Sequence, residues 1–172
     1  YWIFDSYHHL GRKKEANKYK EKTLAIQEKF APEKKGIGAN WAAKIRFEDA
    51  LAVFMNFKAI TLPKNSKNQQ AAIKNKLSMV TQLNKALLNV VAYNSPEEIV
   101  NSLSLLGQTN LHMGEFLTSA PLRSGLSADE TNKYKEGVQK IAEPFLGKAK
   151  ESLTASTVRA SELDTYTPYY QR

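Results

Sequence analysis

Apolar positions recur at helical spacing along nearly the whole chain, and six segments carry the pattern. Residues 1–10 read as the end of a helix, with Ile3, Tyr7 and Leu10 on one face. Gly11 stops it. A second helix is expected over residues 12–30, with Ala16, Tyr19, Thr23, Ile26 and Phe30 in line. Pro32 and the glycine-bearing stretch 34–38 break the chain. A third helix over residues 40–60 is apolar almost all round, through Trp41, Ala42, Ile45, Phe47, Leu51, Ala52, Phe54, Met55 and Ile60. A helix of that kind packs on several sides, so it is expected at the centre of the core.

Pro63, Asn65 and Ser66 make the next turn. The fourth helix, residues 67–93, presents Ile73, Leu77, Val80, Leu83 or Asn84, Leu87 and Val91, with its lysines mainly off this stripe. The fifth runs to about residue 118 with Ile99, Leu103, Leu106, Asn110, Met113 and Leu117 in line. After a loop over 120–126, the sixth carries Tyr134, Val138, Ile141, Phe145, Ala149 and Leu153. Pro144 removes one backbone hydrogen bond inside it and predicts a kink near Ile141. No segment alternates as a strand does. Two start signals are explicit: Ser95-Pro96 with Glu98, and Ser127 with Glu130, each spaced as a capping box. The pattern predicts an all-α chain of antiparallel hairpins with short connections. Its parts are a first hairpin (1–31), a middle hairpin (32–94), a last hairpin (95–164) and an aromatic tail (165–172). The tail reads as a flexible linker, a packed cap or a peptide for a neighbouring molecule.

Composition narrows the function classes. The 172 residues include no cysteine, which excludes disulfides, thiolate metal sites and cysteine nucleophiles. No run approaches the roughly 18 apolar residues of a membrane span. The chain opens on Tyr1-Trp2-Ile3-Phe4 without a signal-peptide pattern, as expected of a piece of a longer protein that leaves the face of Ile3, Phe4 and Tyr7 uncovered. Charge is uneven: residues 1–94 carry +10 and residues 95–172 carry −2. Residues 58–94 hold six lysines and no acid. That asymmetry reads as a solvated lysine-rich surface or as a patch for a polyanion. Lysine far outnumbers arginine, which counts against nucleic acid, where the bidentate arginine fork is favoured.

Candidate chemistry is sparse. His8 and His9 are adjacent, so on a helix they diverge by about 100° and read as surface residues. His112 and Glu115 share a face, but no second pair completes a carboxylate-bridged metal site. Glu48 and Asp49 lie in the apolar third helix, either as an exposed strip paired with Lys44 or, with Glu115, as acid/base candidates. No phosphate loop, zinc-protease motif or serine triad order is present, and no cofactor is implied. The polar run Gln108-Thr109-Asn110 with His112 would line the concave face of a hairpin array, make hydrogen bonds between helices, or simply face solvent. Candidate partner-binding residues are therefore Gln108, Asn110, His112, Lys74, Lys76 and Lys85.

Leu10-Gly11 followed by Ala16, Tyr19 and Thr23 resembles the turn and second helix of a tetratricopeptide repeat. Ser95-Pro96-Glu97 with Leu103 and Leu106-Gly107 looks like the start of another. The span from Tyr93 to Leu153, with Ala120-Pro121-Leu122 inserted, is similar to the C-terminal part of large tetratricopeptide proteins of gliding and predatory bacteria, some of which belong to envelope-spanning motility machinery. The resemblance implies a stacked, right-handed α-solenoid that binds a protein partner or neighbouring repeats. It implies no enzymatic activity, and a bacterial periplasm ahead of a cytoplasm. The middle helices exceed the 34-residue repeat's proportions, so the repeats are expected to be long and degenerate. Gly107 is then expected as a close-packing point inside the fifth helix. The alternative reading is a basic helical module for nucleic acid, anionic lipid or cell-wall polymer.

Overall fold

A computed structural model describes residues 1–36, 38–63, 66–122 and 125–169, with backbone alone at 66 and 67. Asn65 of the predicted turn, Arg123 and Ser124 of the predicted loop, and Tyr170 of the tail lie outside the described residues. Among the described residues there are six helices and no strand: α1 (Trp2–His9), α2 (Lys13–Phe30), α3 (Ala39–Ala59), α4 (Ser66–Val91), α5 (Pro96–Thr118) and α6 (Ala128–Glu162). The chain is all-α, as the periodicity predicts.

Local chemistry sets the ends. Gly11 turns the chain between α1 and α2 at φ +69°, in the left-handed region where a side chain is strained. Ser127 starts α6 with both halves of a capping box: its hydroxyl accepts from the Glu130 amide, and the Glu130 carboxylate accepts from the Ser127 amide. The same letters at Ser95 and Glu98 behave differently. Ser95 sits at the N-cap in extended backbone and makes no side-chain capping bond. Glu98 turns inward and is buried. Helix α6 runs through Pro144, which lies on an exposed face, so the bond it removes is one that water replaces.

Long-range partners define the stacking. Each hairpin is antiparallel. Tyr7 stacks on Tyr19 across α1 and α2. Arg46 donates to the Tyr93 hydroxyl near one end of the α3–α4 pair, and Lys76 reaches the Ile60 carbonyl near the other. Ser156 donates to the Val100 carbonyl, while Gly114 faces Leu146 across α5 and α6. The odd-numbered helices run parallel. Tyr1 stacks on Trp41 and Phe4 packs with Ile45 between α1 and α3. Phe57 meets His112 edge-on between α3 and α5. Helices α3 and α5 touch directly, whereas α4 and α6 both pack on α5 without packing on each other.

The core centres on α5 rather than on α3. Helix α5 packs against α3, α4 and α6 and is buried on nearly every face, whereas Met55 and Ala52 of α3 stay exposed. Small polar residues make that burial tolerable by bonding back into their own helix. Thr109 donates to the Leu105 carbonyl at 2.7 Å and Asn110 to the Leu106 carbonyl at 2.8 Å. The α4 stripe is also displaced from expectation. Its buried face is Lys76, Val80, Leu83, Leu87 and Val90, while Leu77 is exposed.

The residues after α6 fold back as a packed cap. The Tyr169 ring meets Phe47 edge-on at 5.2 Å, its carbonyl accepts from the Ser104 hydroxyl at 2.7 Å, and Thr167 is buried. The flexible-linker reading of the tail therefore fails for residues 165–169. At the other end of the chain the expected uncovered face is divided. Phe4 is buried against Ala16 and Ile45, and Tyr7 lies against Tyr19, but Trp2 and Ile3 remain exposed.

Glycine sets the approach of α5 to α6. A Cβ at Gly107 would meet Leu153 Cγ at 2.5 Å, and one at Gly114 would meet Leu146 Cδ2 at 2.6 Å. Both pairs are spaced seven residues apart on each helix, two knobs in two glycine-lined holes. Gly107→Ala is expected to cost about 1–3 kcal/mol by overpacking, more than the roughly 1 kcal/mol of helix propensity it gains. Adding Leu153→Ala should recover part of that loss in urea unfolding. Gly147→Ala on α6, with nothing within 4 Å, should instead stabilise by up to about 1 kcal/mol. Equal effects at positions 107 and 147 would refute the close approach.

Candidate interaction surfaces

Two of the six candidate residues lie inside the core. Lys76 has no exposed surface. Its ammonium donates to the Ile60 carbonyl at 2.8 Å, where α3 ends, and stands 4.1 Å from the centre of the Phe116 ring and 4.7 Å from that of Phe57. The C-terminal end of the α3 dipole and the two ring faces favour the cation there. Burial without a carboxylate partner opposes them and pulls the Lys76 pKa down to about 8. His112 completes the group: its Nε2 is 3.3 Å from Lys76 Nζ and 3.4 Å from the Lys58 carbonyl oxygen. With its proton on Nδ1, His112 accepts from the ammonium; with its proton on Nε2, it donates to Lys58. Burial and then the Lys76 charge hold the His112 pKa below its ordinary value. Asn110 is the other interior residue. The polar run therefore serves packing between helices: Gln108 is half-buried and donates to the Ser104 hydroxyl.

Lys74 and Lys85 are exposed on the outer side of α4, near the exposed Leu77 and Leu88. Beyond the end of α4 at Val91, α4 and α6 stand apart over α5 and leave an open groove of about 900 Å³. Its floor is Ile99 and Leu103, its apolar walls include Val91 and Val158, and its rim carries Lys150, Glu151, Arg159 and Glu162. A smaller groove along the α3–α4 seam is lined by Ala50, Val53, Leu83 and Ala86.

The carboxylates are arranged differently from the acid/base candidates. Asp49 is exposed and pairs with Lys20. Glu115 is exposed. Glu48 is half-buried on an open groove beside Phe4 and His8; burial raises its pKa, and Lys44 and His8 partly offset this. The most perturbed carboxyl is one that the capping pattern concealed. Glu98 is 3% exposed and accepts from Asn101 Nδ2 at 3.2 Å; burial pushes its pKa up to about 7. Nearby Glu97 and Glu48 push the same way, and Lys44 and the Asn101 bond oppose them. Among the described residues, no group of three or more His, Asp or Glu side chains is placed to hold a metal ion, and no helix is long and apolar enough to cross a membrane.

Compared with known proteins, the chain matches no protein family, no curated protein and no solved structure.

Proposed function

We propose that the chain is a non-enzymatic interaction module of tetratricopeptide-like stacked hairpins, and that the groove between α4 and α6 docks a helical segment of a protein partner. The observation that carries this is the unequal spacing of the two layers. Helices α3 and α5 pack side by side, while α4 and α6 do not meet and leave an apolar floor open to solvent. A groove of that shape, with aliphatic walls and a charged rim, suits helix-in-groove recognition. Right-handed solenoid geometry belongs to this proposal, as does the bacterial envelope or motility setting; both rest on the repeat-like residues around Gly11 and Ser95.

The polyanion reading loses one of its own residues, because Lys76 is turned inward from the acid-free stretch. The two readings separate by mutation. Val158→Glu places a charge on the groove wall at a half-exposed site, so folding should survive. It is expected to lower capture of a cross-linked protein partner at least tenfold, with the melting temperature nearly unchanged. Lys74→Glu with Lys85→Glu should weaken heparin retention more than partner capture. Loss of partner capture in the lysine pair with none in Val158→Glu would favour the polyanion reading instead.

A further inference from the structure

A second groove opens at the opposite end of the molecule. Tyr1, Ile26, Phe30 and Trp41 line it with the loop at Lys35–Gly36, and it encloses about 600 Å³. Phe30 is 74% exposed and Ile26 60%, although both continue the α2 stripe whose Tyr19 stacks on α1. The side chains come from the N-cap of α1, from α2 and α3 and from a loop, so the surface is concave and suited to inserted side chains.

Its lining carries one acid, Glu33, and one base, Lys35, and lysines beside the groove add positive charge around it. At 100° per residue, Lys22 and Lys29 fall roughly 80° and 100° from the centre of the α2 apolar stripe, while Glu21 and Glu28 of the same helix point roughly 160–180° away. The lysines lean over the aromatic rings: Lys22 over Tyr19 at 5.6 Å, Lys29 over Phe30 at 5.2 Å and Lys44 over Tyr1 at 5.6 Å. Glu33 is the one acid among the lining residues. Among the described residues, no carboxylate lies within ion-pair distance of Lys22, Lys29 or Lys35.

We infer that the groove of Tyr1, Ile26, Phe30 and Trp41 is a docking site for an acidic amphipathic segment of a partner protein. The inference rests on reading the chain as an interaction module, at a site separate from the α4–α6 groove. Apolar side chains of the segment fill the groove in line with α1, and its carboxylates meet Lys22, Lys29 and Lys35. Desolvation at the groove centre strengthens the anchors, and the lysine rim supplies sign specificity and a salt-sensitive association rate.

The chain offers its own reporter, because Trp41 lines this groove and the other tryptophan, Trp2, stands 5.0 Å from it. The probe is a synthetic helical peptide with leucines on one face and glutamates on the other. Two comparisons accompany it: the same peptide with lysines for glutamates, and phosphatidylglycerol vesicles. The acidic peptide is expected to shift tryptophan emission to shorter wavelength, saturably, with at least tenfold weaker binding to a Lys22→Glu, Lys29→Glu variant of unchanged circular dichroism. No saturable shift, an equal response to the lysine peptide, unchanged affinity in the variant, or a shift driven by vesicles alone would each overturn the proposal. The α4–α6 groove carries no tryptophan, so its partner capture and the Val158→Glu result stand or fall separately.

Discussion

Lys76→Glu is expected to lower stability by about 4 kcal/mol or abolish folding, the scale of an uncompensated buried charge. Lys74→Glu, two residues away, should stay within about 0.5 kcal/mol of the parent protein, as exposed substitutions do. The difference follows from position. The Lys76 ammonium donates to the last turn of α3 and touches two ring faces; a carboxylate there would face the Ile60 carbonyl and the same rings, all repelling it. Lys76→Met keeps the length and removes the buried charge, so it should be close to neutral at pH 7. A pH scan separates this from ordinary packing. The folded pKa of Lys76 is lowered, from 10.5 to about 8, so the unfolded chain holds the proton more tightly between those values. Stability should rise with pH across that window in the parent and not in Lys76→Met. Tolerance of Lys76→Glu, measured by urea unfolding, would show that the side chain reaches solvent.

Glu98 should make the protein lose stability from acid to neutral pH, opposite to the usual carboxylate behaviour. Its folded pKa is raised from 4.5 to about 7. The stabilising contribution is therefore complete below about pH 4.5 and lost as pH rises through 7. The full span corresponds to about 3 kcal/mol. Glu98→Gln keeps the shape and the partner Asn101 without the charge. It should match the parent near pH 4.5 and exceed its stability at pH 8 by up to that amount. Equal pH profiles for parent and variant would mean that Glu98 is solvated or paired with Lys44 in solution.

These two residues also mark where the sequence stopped being legible. All six helices follow from apolar spacing and from Gly11, Pro96 and Ser127, because local chemistry alone sets such ends. Ser95–Glu98 and Ser127–Glu130 present identical capping signals. Which glutamate caps depends on what the first turn packs against. Glu130 meets water, and Glu98 shares a helix face with Leu105 and Phe116, which point into the core. The displaced α4 stripe has the same origin. Spacings of four, three, four and three run through Lys76, Val80, Leu83, Leu87 and Val90, but a lysine at the first position reads as surface. The aromatic pair Phe57 and Phe116 and the Ile60 carbonyl, brought together by the tertiary fold, make it an interior residue. The grooves were not legible either. They arise where α4 and α6 fail to meet and where the α2 stripe outruns α1, and both depend on how the hairpins stack.

The interaction proposal depends on that stacking, and on the odd-numbered helices forming one parallel layer. Spin labels can report it without interference, because the chain has no native cysteine. Met55 on α3, and Glu97 and Glu115 at opposite ends of α5, are all exposed. With α3 and α5 in parallel contact, the Met55→Cys, Glu115→Cys pair should give the shorter distance. The Met55→Cys, Glu97→Cys pair should be longer by up to about 27 Å, since 18 residues of helix at 1.5 Å each separate the two α5 sites. The opposite order of the two distances would place α3 and α5 antiparallel and contradict the stacked-hairpin account.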